Sequence, residues 1–151
     1  MKDNSRDFKI GEVYIVQFSG TDSEQQGIRP GLILQNNIGN IFSPNLIVLP
    51  MTSCLKKHDL PTHVIVLAAE SGLKRDSMIL CENPERMSKE KVGRYLTTLS
   101  YEYMRKVASA YLLATSAIAF LDKDLLLSLW EQATRLNFVA QKDCERVGGY
   151  V

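Results

Sequence analysis

The chain has 151 residues, enough for one domain with a sizeable core, and its 45% hydrophobic and 23% charged content is that of a folded soluble protein rather than a disordered one. Lys and Arg total 18 against 17 Asp and Glu, so net charge neither demands nor excludes a nucleic-acid partner. Cys54, Cys81 and Cys144 are odd in number and widely spaced, and His58 and His63 are the only histidines, which argues against a disulfide framework and a structural zinc site.

Residues 1–9 are polar and mixed in charge, unlike a signal or transit peptide, and read as a flexible tail. No apolar run reaches membrane-spanning length, so the expected setting is a reducing cytoplasm with no membrane partner. Residues 11–18, rich in β-branched and aromatic side chains after a glycine, predict a strand, and the polar stretch 19–27 predicts a loop. Apolar runs at 32–34, 46–49 and 64–67, each bounded by Pro, Gly or Asn, predict core strands, and 77–81 a fifth. Five short strands without a helical pattern between them fit a strongly curved sheet or small barrel.

From Ser100 the period changes. Tyr103, Val107, Ala110, Tyr111 and Ala114 recur at helical spacing with Ser100 as N-cap, predicting a helix packed on the sheet. Past Phe120 a second helix is predicted, capped by Asp122 or Asp124, with Leu126, Leu129, Trp130, Ala133 and Leu136 on one face that could pack on the protein's own core, its plainest use, or extend an interface between copies or cap a groove.

Two segments could carry chemistry. Gly27 and Pro30 bracket Arg29, and proline biases the residue before it to an extended conformation, so a guanidinium is held at the start of a strand. Its planar fork matches two phosphate oxygens and stays charged at working pH. Pro50 ends an apolar run and is followed by Met51, Thr52 and Ser53, which places hydroxyls at a strand end; a turn that bonds its own backbone is the plainer use of them. A serine-hydrolase elbow, a zincin helix, a P-loop, a dinucleotide fingerprint and a C-x-x-C pair are all lacking, so neither metal nor cofactor is expected.

Taken in order, these segments resemble the MazF/PemK family of toxin endoribonucleases over about residues 10 to 120. The carrying blocks are Gly11-Glu12-Val13-Tyr14, Ser23-Glu24-Gln25 through Arg29-Pro30, Leu32 to Asn36, Pro50-Met51-Thr52-Ser53, Leu60 to Val64, Gly72-Leu73 and Arg75 to Leu80. The resemblance implies an α+β, mainly β fold: a small SH3-like barrel with helices, to which residues 121–151 would add a C-terminal helical extension. It implies a homodimer, a cognate antitoxin, and cleavage of single-stranded RNA at short sequences by attack of the ribose 2′-hydroxyl, without a metal. Arg29 and Thr52 match the family's catalytic arginine and threonine. Glu24, Gln25, Gln26 and Ser53 match its substrate-binding surroundings. Cys54 stands where the family commonly has glutamine, and Asn83-Pro84-Glu85-Arg86 replaces a run that usually carries Gln and then Arg, which leaves Asn83 and Arg86 as the RNA-binding candidates there. The same barrel could instead serve a non-catalytic protein that binds nucleic acid or gyrase.

Overall fold

The computed structural model describes residues 6–20, 26–55 and 60–144, and the side chains of Gln26 and of 136–144 are not among those described. Seven strands make one antiparallel sheet: β1 (Glu12–Ser19), β2 (Gln26–Ile33), β3 (Asn45–Thr52), β4 (His63–Val66), β5 (Ser77–Leu80), β6 (Glu85–Ser88) and β7 (Val92–Thr98). The helices are α1 (Asn37–Phe42), α2 (Ala68–Ser71), α3 (Tyr101–Thr115) and α4 (Lys123–Cys144). The strand path runs β4-β5-β3-β2-β1-β7, and the expected curved sheet stays open.

The sheet is organised around β3. One edge of it pairs with β2, and the other edge is shared: β5 takes Met51 and Thr52, and β6 takes Asn45 to Val48. Strand alternation then sorts consecutive apolar residues onto two faces. Leu32, Leu49, Val13 and Ile79 pack with Tyr103, Val107 and Ala110 of α3. Ile33, Val48, Tyr14, Val16 and Met87 build the second core on the other face. Both faces are buried over residues 31–33 of β2 and 48–51 of β3, which is why these runs read as continuously apolar.

Gly31 makes this packing possible, because a Cβ there would lie 2.6 Å from Val48 Cγ1. Ser100 caps α3 as expected, accepting a hydrogen bond from the Tyr103 amide at 3.3 Å. The predicted second helix forms as α4, but it does not pack as expected. Side chains 122–135 are exposed, Trp130 to 72%, so the described part of the stripe lies outside the core. Among the described residues no helix is long and apolar enough to cross a membrane.

Two strands and two helices go beyond the five-strand expectation. β6 and β7 carry Glu85, Arg86, Arg94 and Tyr95 and expose much of themselves, so the apolar signal is diluted. Strand β2 also begins at Gln26, earlier than its apolar run suggests, because the residues before Gly31 pair along the full length of β1.

Candidate active site

Arg29 lies in β2 opposite Val16 of β1, with Gly27 two residues before it at φ 81°, a left-handed conformation that suits glycine. Thr52 is the last residue of β3. The β2–β3 pairing runs from Ile33 and Val48 to Gly31 and Pro50 and ends there, so Arg29 and Thr52 each lie two residues beyond the last pair, at the same end of the ribbon.

Both are half-buried and line one open cleft of about 600 Å³ together with exposed Ser53. Ile15, its cross-strand partner Pro30, and Met51 give the cleft an apolar lining. Arg29, Lys74, Arg75 and Arg94 make it cationic, and among the described residues no Asp or Glu lines it. Nearby acids are engaged elsewhere: Asp76 accepts the Ala68 amide at 2.7 Å, and Glu70 accepts the Tyr103 hydroxyl. That bond to Glu70, with burial, pushes the Tyr103 phenol above its ordinary value. The cleft is therefore a site of positive potential that would attract a polyanion.

The hydroxyl of Thr52 is oriented. Its Oγ1 accepts the Cys54 amide at 3.1 Å, the self-capping turn foreseen from sequence, and this directs the O–H away from that amide. The cleft wall is tied down by Thr97, whose hydroxyl donates to the Ser71 carbonyl at 2.6 Å, and by Gly72, which ends α2 at φ 79°.

Other candidates fall elsewhere. Gln26 opens β2 opposite Ser19, with its side chain outside those described, while Glu24 and Gln25 lie outside the described residues. Asn83 is exposed in the turn after β5, its amide donating to the Leu80 carbonyl at 3.1 Å. Arg86 pairs with Ile47, five positions along β3 from Thr52 and so roughly 17 Å away. Its guanidinium bonds the Asn45 side-chain oxygen, Nη2 at 2.8 Å. Lys74, Arg75 and Arg94 were not legible as site residues, since isolated cations in separate loops and strands carry no local signal. His63 is outside the cleft, with Nε2 2.8 Å from Glu82. Among the described residues no three His, Cys, Asp or Glu side chains converge as a metal-ligand set.

Comparisons with known proteins point to one family. The family model described as PemK-like, MazF-like toxin of type II toxin–antitoxin system matches residues 9–114. The chain is similar to Endoribonuclease EndoA of Bacillus subtilis, 42% identical over 113 residues covering 74% of this chain and 97% of the relative. It is also similar to Endoribonuclease MazF of Staphylococcus saprophyticus, 40% identical over 66% of this chain and 84% of the relative. The fold matches a solved mycobacterial endoribonuclease in complex with its cognate antitoxin, with TM-score 0.58 and 23% identity over 72% of this chain and 94% of that one.

Proposed function

We propose that this chain, which belongs to the PemK-like, MazF-like toxin family of type II toxin–antitoxin systems and is an endoribonuclease toxin, cleaves single-stranded RNA at short sequences with Arg29 and Thr52 as its catalytic residues. The observation that carries the site assignment is that Arg29 and Thr52 line one cleft, which is cationic and, among the described residues, free of lining carboxylates.

In this reading the ribose 2′-oxygen attacks the adjacent phosphorus and the bond from phosphorus to the 5′-oxygen breaks. The proton lost by the 2′-hydroxyl is balanced by the one gained at the 5′-oxygen. The products are a 2′,3′-cyclic phosphate and a 5′-hydroxyl. An internal nucleophile held in place needs neither a protein nucleophile nor a metal-activated water. Arg29 stabilises the charge that builds on the phosphorane, and the Thr52 O–H donates to a phosphate oxygen. Lys74, Arg75 and Arg94 hold the strand, and Ser53 lies beside the reacting phosphate. Glu24, Gln25 and Gln26 precede Arg29 and would read base edges, which are open in a single strand. Asn83 and Arg86, farther along β3, would touch more distant nucleotides.

The working form is a cytoplasmic homodimer silenced by a cognate antitoxin, with residues 121–151 as an extension of the toxin domain at 10–120. The family's description and the antitoxin-bound structural neighbour support the antitoxin partner. The test is incubation of the protein with a long single-stranded RNA in chelator, followed by mapping of new 5′-hydroxyl ends. Arg29→Ala is expected to slow cleavage by about 10²- to 10³-fold. Intact RNA with the wild-type protein refutes the function, and cleavage indifferent to Arg29→Ala refutes the site.

A further inference from the structure

The cleft does not end at its own rim. Ile15 and Ile28 line it and also line a second open depression of about 1080 Å³, whose other walls include Arg6, Gln17, Lys89, Lys91 and Gly93. Ile15 and Gln17 alternate onto one face of β1, and Ile28 is the cross-strand partner of Gln17, so a single open surface joins the two depressions. Ile28 is 74% exposed on that surface, an unusual outlay of apolar area between two groups of cations.

The cations of the second depression are anchored. Lys91 Nζ donates to the Ser19 hydroxyl at 2.7 Å, and the Arg6 guanidinium donates to the Gly93 carbonyl. Lys89 is committed to the fold, through the Asn40 carbonyl at 2.6 Å and the Phe8 ring. Glu90 is the carboxylate on this wall, opposed by Arg6, Lys89 and Lys91. A strip of positive potential with an apolar middle suits a chain of phosphates that carries flat apolar faces.

We infer that RNA flanking the scissile phosphate leaves the active site over Ile15 and Ile28 and enters this second depression, where Arg6 and Lys91 hold its phosphates. The inference rests on the RNA-cleaving reading above. From β2 across β1 to the start of β7 is two strand spacings, about 10 Å, which is room for about three phosphates of a stacked strand at ~3.4 Å each. Base faces lie against the isoleucines, so contact here depends on strand length and charge more than on sequence.

The experiment uses full-length protein and a single-stranded RNA bearing a mapped cut site, made uncleavable by a 2′-deoxy substitution at that site. Binding is measured against salt for wild type, for Arg6→Gln/Lys91→Gln, and for a control of equal charge change on α3, Arg105→Gln/Lys106→Gln. Each lost phosphate contact on a single strand flattens the plot of log affinity against log salt by about 0.7, so the first variant should be flatter by about 1.4 and the control unchanged. RNA shortened to the cut-site nucleotides alone should erase the difference between wild type and the first variant. An unchanged slope for Arg6→Gln/Lys91→Gln, or the same change in the control, overturns the inference. So does a variant that alters only self-association in sedimentation, which would assign the surface to a second copy of the chain. Failure of wild type to bind or cut any RNA refutes the underlying function instead, and the two failures are told apart by that control.

Discussion

Replacing Thr52 by valine removes one hydroxyl while keeping the branched shape that fixes the side chain at the end of β3. The hydroxyl accepts the Cys54 amide at 3.1 Å, leaving its proton for a partner in the cleft, and a phosphate oxygen facing Arg29 is the partner the geometry offers. A hydrogen bond to a charged group contributes about 1.5–3 kcal/mol. Lost only in the transition state, that amounts to roughly a 10- to 150-fold fall in kcat/KM. The folded state loses one bond to a half-exposed turn, about 0.5–1 kcal/mol, so Tm should fall by no more than about 4 °C at this chain length. Thr52→Ser keeps the donor and should stay within about tenfold of wild type, the deficit coming from a looser rotamer. The assay is fluorescence-detected cleavage of a short RNA carrying a mapped site, with melting curves run in parallel. A valine variant within about twofold of wild type, or a serine variant as impaired as valine, would refute the role given to this hydroxyl.

Gly31→Ala places a Cβ 2.6 Å from Val48 Cγ1 and close to Val16, and overpacking of this kind costs about 1–3 kcal/mol, so Tm should drop by roughly 2–12 °C; an unchanged melt would show that β2 and β3 are not held as tightly as described. Cys81 is fully buried, and burial, with Glu82 nearby, pushes its thiol up to about 12. A raised folded-state value favours the protonated fold, so this stabilisation is complete below the unfolded value of about 8.5 and is lost as pH rises towards 12. Melts from pH 8 to 11 should fall more steeply for wild type than for Cys81→Ala, and parallel curves would contradict the assignment.

What could be read from the residues depended on whether the signal was local. The apolar runs at 32–34, 46–49 and 64–67 and the cap at Ser100 reveal themselves within a few positions, and each lies in an element of the expected type. Arg29 and Thr52 stood out through the family-like blocks around them, whereas the cleft they share depends on the β2–β3 register, which no local pattern encodes. Lys74, Arg75 and Arg94 join the cleft only because α2 is tied to β7 through Thr97, a contact between residues 26 apart. The apolar stripe of α4 reads like a core face, yet periodicity reports amphipathicity and not what covers it, and Trp130 remains exposed.

The pairing of β1 with β7, in which Tyr14 meets Tyr95, has a consequence for synthesis. Arg29 and Thr52 emerge from the ribosome early, but Arg94 and the strand that carries it emerge only after some forty further residues, and non-local strand pairing is slow to form. A nascent chain therefore holds the two proposed catalytic residues well before it holds the finished cleft. For a protein that cuts RNA while being translated from one, the long-range closure is a built-in delay: the ribosome has nearly completed the toxin domain before the blade is assembled.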